Sequence, residues 1–343
     1  MPHVRLPLAL AALTGVTLVA TACASSDPAA DAENASATET VTVENAKPTL
    51  VLVEEDGESF LSEDLEVDRD AVEVPYQPDA VVTFDIATLD TLHAIGAGDA
   101  VVGIPDTALP EYLAEYADLP KVGSLFEPDF EAVAELDPDL IVVAARSTAQ
   151  YDELSEIATT IDMTGAYGGT FAPASGLERA EQLGEIFGLE DAVAEQVAVI
   201  EDLEAQIQGE VDGTALVLSV SGGEYGAFGE GSRFGYFFDE LGFSPAVAAA
   251  ELPGAEGSPH GDTVTNEFIL SANPDWIVVF DRGAAIGESS SAGETLDNEL
   301  VAQTTAGAQD QIIELPASEI YVVINGLTAI ENVLTTIGDE LAA

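Results

Sequence analysis

A chain of 343 residues with 47% apolar composition can bury a large core, so it is a folding sequence and not a solvated acidic tail. Its 64 Asp and Glu against 8 Lys and Arg give a formal charge of −56, which argues against nucleic acid and anionic membrane surfaces as partners. Such a charge suits saline surroundings, where screening removes much of the self-repulsion.

At the N-terminus, Arg5 precedes an apolar stretch from Leu6 to Val19 and then Ala20-Thr21-Ala22-Cys23. The stretch is too short for a comfortable membrane span and ends in small residues, so residues 1–22 read as an export signal. Cys23 is the single cysteine of the chain and stands directly after the expected cut. A lone exported thiol is otherwise a liability, and the arrangement resembles a bacterial lipobox, whose cysteine receives the lipid. Residues 23–48, rich in Ala, Ser, Thr and acids, read as a flexible acidic tether. Without the signal, seven basic residues remain: Lys47, Arg69, Lys121, Arg146, Arg179, Arg233 and Arg282. Their scarcity makes each one worth examining.

Beyond the tether, β-branched runs alternate with helical patterns. AVVTFD (80–85), DLIVVAA (139–145), TALVLSVS (214–221) and DWIVVF (275–280) read as strands, with a helix over TLDTLHAIG after the first. Continuous apolar runs of this kind suit parallel strands buried on both faces, which makes the class α/β. Two segments match without a gap: FEAVAELDPDLIVVAAR, ending at Arg146, and NEFILSANPDWIVVFDR, ending at Arg282. Glu131 pairs with Glu267, Pro138 with Pro274 and Arg146 with Arg282. Each copy reads as a short helix, an Asx-Pro-Asp turn, a buried strand and an arginine at the strand's C-terminal end. Helix–turn–strand units in α/β proteins often share the proline and the apolar run, but not both charged positions. The match therefore predicts two related lobes.

Between the copies, Leu189–Val211 carries Val193, Val197, Ile200, Leu203 and Ile207 at helical spacing and predicts one long helix linking the lobes. The expected organisation is an N-terminal lobe at 49–188, the linking helix at 189–211 and a C-terminal lobe at 212–343. Ligands of open α/β sheets sit beyond the C-terminal strand ends, so Arg146 and Arg282 are expected at the mouth of a cleft between two Rossmann-like lobes.

GEGSRFG (229–235) begins like a dinucleotide loop, but its sixth position is Phe234 and about seven residues separate it from the preceding strand. Ser232 is expected to cap a helix running to about Leu241, with Arg233 in its first turn. Arg233 then either serves an anionic ligand at that helix start or pairs with an acid nearby, such as Glu230 or Asp239. His93 reads as ordinary packing, and His260 lies in a loop before the second repeat helix. No G-x-S-x-G elbow, Walker loop or reactive cysteine is present, and nothing supplies an obvious nucleophile and base, so the chain does not read as an enzyme.

Taken together, QPDAVVTFDIATLDTLHAIGAGDAVVGIP, ALPEYL, VGSLFEPDFEAVAELDPDLIVVAARSTAQYDELSEIA, FGEGSRFG, SPHG, NPDWIVVFDRGAAIG and LDNELV resemble the catecholate-siderophore-binding lipoproteins of bacterial ABC importers, a helix-linked class of substrate-binding proteins. The resemblance runs from about Val74 to the C-terminus. It implies that Arg146, Arg233 and Arg282 surround an anionic iron(III) complex. It implies that His260 and Tyr321 complete the iron's coordination, and that Glu131 and Glu267 dock the lobes on the permease. It further implies a monomer without an intrinsic cofactor, whose ligand is an iron(III) siderophore. Its partners would be an ABC permease with its ATPase, and the membrane through the Cys23 lipid on the outer face of the cytoplasmic membrane. The rivals are a hydroxamate, haem or cobalamin carrier, and an α/β enzyme acting on an anionic, for example phosphorylated, substrate.

Overall fold

The computed structural model describes residues 39–48, 52–55, 58–61, 67–165, 170–254, 260–288 and 292–343. The expected signal, Cys23 and most of the tether lie outside the described residues. The last stretch of the expected tether is instead a strand, β1 (Thr40–Pro48). Within the nested hairpin, β2 (Leu52–Glu55) pairs with β3 (Glu58–Leu61), and β4 (Val67–Pro75) returns antiparallel to β1 with Thr40 opposite Pro75. The reason is local: in TVTVENA, β-branched residues alternate, and Val43 is buried. Buried Asn45 accepts from Asp162 N at 2.7 Å and donates to Asp70 Oδ1 at 3.1 Å. The Ala/Ser/Thr/acid composition of the whole segment hides that alternation.

The first sheet builds next. After β5 (Val81–Thr83), α1 (Ile86–Ile95) is capped by Asp85, whose Oδ2 accepts from Thr88 N at 3.0 Å, and ends at Gly96 with φ +84°. β6 (Val101–Gly103), α2 (Phe130–Glu135), β7 (Leu140–Val143), α3 (Tyr151–Ser155) and β8 (Thr160–Asp162) follow. The strand order is β6-β5-β7-β8, all parallel, and β7 is fully buried, as its unbroken LIVV requires. α4 (Pro173–Phe187) has proline in its first turn and stops at Gly188. α5 (Glu190–Glu210) is the single long helix expected between the lobes, burying Val193, Ile200 and Ile207.

The second sheet keeps the expected parallel pairing of its two apolar strands and adds antiparallel ones. β9 (Thr214–Ser221) turns through Gly222 and Gly223, both at positive φ, into β10 (Glu224–Phe228) running antiparallel to it. After α6 (Tyr236–Asp239), β11 (Ser244–Pro245) and β12 (Asp262–Val264) come α7 (Asn266–Ala272), β13 (Trp276–Asp281), α8 (Arg282–Ala285), α9 (Ala292–Leu296), α10 (Thr305–Gln309) and β14 (Ile312–Glu314). The order is β12-β10-β9-β13-β14, with β11 also on β9; β13, β14 and β11 are parallel pairings and β10 and β12 antiparallel. The sheet is mixed because a glycine pair makes a two-residue hairpin possible where a crossover helix would otherwise stand.

The sequence repeat is also a structural one. Asp137 and Asn273 end α2 and α7 in the left-handed region, at φ 47° and 45°. One residue past the proline, Asp139 Oδ2 accepts from Asp79 N and Ala80 N, both at 3.1 Å, and Asp275 Oδ2 accepts from Thr214 N at 2.9 Å. In each lobe that carboxylate ties the turn to the start of the neighbouring strand. The closing helix, α11 (Leu327–Leu341), buries Leu327, Ile330, Val333, Leu334 and Ile337 and packs on α5, α1 and α4. No helix among the described residues is long and apolar enough to cross a membrane.

Candidate functional site

The turn after β10 shows how local sequence aims a side chain. Gly231 at φ +69° reverses the chain, Ser232 Oγ donates to Gly229 O at 2.7 Å, and Asp239 Oδ2 accepts from Gly231 N at 3.0 Å. Phe234 is fully buried, 4.8 Å from the Phe228 ring and 4.7 Å from that of Phe280. Burying Phe234 and Phe237 makes this a compact turn, and the expected helix from Ser232 to Leu241 shrinks to the four residues of α6. Ser232 does not cap it, and Arg233 stands before it instead of in its first turn. The expected anion site at a helix start is therefore absent. Asp239, a candidate partner for Arg233, is engaged by the turn.

What the turn does is present Arg233 to Tyr321. The Arg233 guanidinium carbon lies 4.6 Å from the centre of the Tyr321 ring and 5.1 Å from that of Phe234. Arg282, opening α8 directly after β13, donates from Nε to Tyr321 Oη at 2.9 Å and from Nη1 to Ser221 Oγ at 3.5 Å. Arg146, at the corresponding end of β7 in the first lobe, donates from Nη2 to the Tyr321 carbonyl at 3.4 Å. The three arginines thus converge on one tyrosine, across the cleft, from chain positions far apart.

Tyr321 sits in a single π-helical turn, Glu319–Val323, a rare geometry that often marks functional sites. Burial opposes ionisation of its phenol, but the Arg233 charge and the Arg282 hydrogen bond and charge outweigh burial, and the net shift is below the ordinary tyrosine range. His260 is pushed down to about 4, by burial first and then by Arg282 and Arg233. Its imidazole is therefore neutral at neutral pH, the form that ligates a metal. Gly226 makes room for this loop, since a Cβ there would come 2.1 Å from the His260 carbonyl.

Glu131 and Glu267 lie elsewhere, both exposed at equivalent places in α2 and α7. The Glu267 carboxylate is held below its usual range by its own backbone N–H and Thr265. His93 bonds Tyr116 Oη at 3.0 Å in the first lobe, away from the arginines.

Sequence reasoning missed four residues beside the site. Arg179 pairs with Asp85 at 3.6 Å and donates to Met163 O at 3.2 Å. Arg179, Asp85 and Asn325 line the same pocket as Arg146. The fourth, Phe171, lies under the Arg233 turn. The scarcity of basic residues marks Arg179 in the sequence; nothing local marks Asn325 or Phe171.

Comparison with known proteins extends this geometry. A family model described as periplasmic binding protein matches residues 81–319, a stretch that includes Arg146, Arg233, His260 and Arg282 and ends just before Tyr321. The petrobactin-binding protein YclQ of Bacillus subtilis is 37% identical over 284 residues, covering 80% of this chain and 86% of YclQ. Its crystal structure matches with a TM-score of 0.70 at 34% identity, over 87% of this chain and 99% of that one. A TroA-like periplasmic binding protein from Xylanimonas cellulosilytica matches with a TM-score of 0.75 at 31% identity, over 89% and 100% of the two chains. The periplasmic catecholate-siderophore binding protein VctP of Vibrio cholerae gives 0.67 at 31% identity, over 78% and 95%. Two helix-linked α/β lobes, a cleft with arginines at its strand ends and a family match over most of its length identify this chain as a member of the periplasmic binding protein family.

Proposed function

We propose that this protein captures an iron(III)–catecholate siderophore in the cleft and delivers it to an ABC permease, without covalent chemistry. The observation that carries the proposal is the convergence of Arg146, Arg233 and Arg282 on Tyr321. Catecholate oxygens on iron(III) leave an anionic complex with outward acceptors, and guanidinium groups offer several donors while keeping their charge. In a chain of charge −56, a local cationic cluster is what makes the cleft attractive to an anion. Iron(III) is a hard cation that favours anionic oxygen, so the phenol of Tyr321, already biased toward ionisation, suits it, and a neutral His260 is an acceptable nitrogen donor. Binding exchanges the Arg282 Nε–Tyr321 Oη hydrogen bond for contacts to the ligand, while Arg233 stays over the Tyr321 ring. The names of two relatives, petrobactin-binding and catecholate-siderophore binding, agree with this substrate class.

In the same proposal, residues 1–22 are the export signal, Cys23 carries the lipid anchor, and the exposed Glu131 and Glu267 dock the two lobes on the permease. The lobes at 40–188 and 212–343 act about the linking helix as a monomer on the outer face of the cytoplasmic membrane.

The test is a spectroscopic titration of the purified protein with ferric complexes of catecholate, hydroxamate and citrate type, and with haem and cobalamin. Tight, saturable binding confined to the catecholates is the expected result. Tight hydroxamate, haem or cobalamin binding with no catecholate binding overturns the substrate assignment.

A further inference from the structure

Arg233 and Tyr321 belong to chain segments far apart, yet one three-residue stretch of the first lobe, Thr170–Ala172, bonds the backbone of Arg233 and the side chain of Asn325, four residues past Tyr321. On one side Phe171 N donates to the Arg233 carbonyl at 3.0 Å. The Phe171 ring, 1% exposed, meets Tyr236 edge-on at 5.2 Å and stacks on Phe237 at 6.1 Å, both in the turn and helix that follow Arg233. Tyr236 in turn donates to Glu204 on the linking helix.

On the other side stands Asn325, buried, shortly after the π-helical turn of Tyr321. Its Oδ1 accepts from Ala172 N at 2.9 Å and its Nδ2 donates to Thr170 O at 2.8 Å. The amide brackets Phe171, a task that needs one donor and one acceptor on a planar side chain. Its backbone is pinned as well: Arg179 Nη2 donates to Asn325 O at 3.5 Å, and Gly176 leaves room for that carbonyl, which a Cβ would approach to 2.6 Å. Between Tyr321 and Asn325, the β-branched Ile324 is held at φ +59°. A β-branched residue persists in that conformation only where the surroundings over-determine it. The bracket, the Arg179 contact and the Ile324 N–H to Glu319 O bond at 2.7 Å supply that over-determination.

We propose that Asn325 and Phe171 are positioning residues, forming a cross-lobe clip that holds Tyr321 and Arg233 against each other so that the ligand meets a preformed pair. Neither residue needs to touch the ligand. Preorganisation of this kind removes the ordering of two side chains and their turns from the cost of binding. The functional half of the proposal rests on the ferric-catecholate reading; the geometric half stands on the hydrogen bonds alone.

The experiment uses Asn325→Leu, of similar volume and without charge, and independently Phe171→Leu, each with folding checked by circular dichroism. The probe is the iron(III) complex of 2,3-dihydroxybenzoate, titrated against each variant with and without Tyr321→Phe. Residues acting through a shared partner give non-additive losses. Asn325→Leu is expected to weaken binding about tenfold in the Tyr321 background and less than about threefold with Tyr321→Phe, with its visible charge-transfer band displaced toward that of Tyr321→Phe. Equal losses in both backgrounds, with an unmoved band, overturn the positioning role.

Ligand-free hydrogen exchange tests the clip without iron. Peptides spanning 230–236 and 319–325 are expected to exchange faster in both variants, while 266–272 is unchanged. Unaltered exchange at both places overturns the clip. If exchange changes but the parent protein binds no ferric catecholate, the clip holds and the substrate proposal fails.

Discussion

The two copies of the repeat deliver their arginines from the same place by different means. In the first lobe, Ala145 at φ 47° turns the chain out of β7 and Arg146 lies in a short 3-10 turn. In the second, Asp281 caps α8 by accepting from Ala284 N at 2.8 Å, and Arg282 opens the helix. Arg146 reaches only the main-chain carbonyl of Tyr321, whereas Arg282 reaches its phenol. The larger contrast lies beside them. The first sheet is wholly parallel, while the second holds the β9–β10 hairpin, and the turn after β10 supplies Arg233. A duplicated unit gives a pair of cations; a hairpin in one copy adds the third, and the site is weighted toward the second lobe.

Breaking the turn after β10 has the largest expected effect. Phe234→Ala removes a fully buried ring and is expected to cost about 3–5 kcal/mol of stability, measured by denaturant unfolding; a cost under about 1 kcal/mol contradicts its anchoring role. Next come the arginines themselves. Arg282→Ala and Arg233→Ala are each expected to weaken ferric-catecholate binding by about 1–3 kcal/mol, and Arg146→Ala by about 0.5–1.5 kcal/mol, in titrations at fixed salt. An Arg146 loss larger than either of the others reverses the weighting.

The repeat's shared carboxylates give a smaller contrast. Asp275→Ala, half-buried with a 2.9 Å bond, is expected to cost about 1–2 kcal/mol of stability, against about 0.5–1 kcal/mol for exposed Asp139→Ala. Equal costs remove the distinction between the lobes at that position.

The last test is a pH slope. His260 binds a proton less readily folded, near 4, than unfolded, near 6.5, so the unfolded state holds more protons between those values. Its effect on stability falls as pH drops through that window. Asp90 and Asp162, raised to about 6 chiefly by burial, slope the other way. Comparing parent and His260→Asn isolates the histidine: the parent should lose more stability than the variant between pH 6.5 and 4. Parallel curves would contradict the burial of His260 beside Arg282 and Arg233.

Much of this was legible in the sequence because it is written locally. The LIVV of β7, the helical spacing of Val193 to Ile207 and the gapless repeat each depend on neighbours within a few residues. Arg146 and Arg282 followed from their place at strand ends; Arg233 and His260 were singled out in their loops, and their roles, with Tyr321, entered through family resemblance. The failures have two sources. Some local signals were averaged away: the Thr–Val alternation inside an acidic segment, and the Gly222-Gly223 hairpin turn, which lies among the residues counted only as spacing before GEGSRFG. Others are not local at all. Asn325 meets Thr170 and Ala172 from 155 and 153 residues away, and Arg179 meets Asp85 across the first lobe, so no spacing pattern encodes them.

The central claim is that a clustered set of arginines holds an anionic ferric complex against Tyr321. The most direct measurement is a visible-light titration with a ferric catecholate, run side by side on the parent protein and Tyr321→Phe. Saturable binding with a charge-transfer band in the parent, and a displaced band with weaker binding in the variant, is the predicted result. No binding in the parent, or one identical band and affinity in both proteins, would contradict the account.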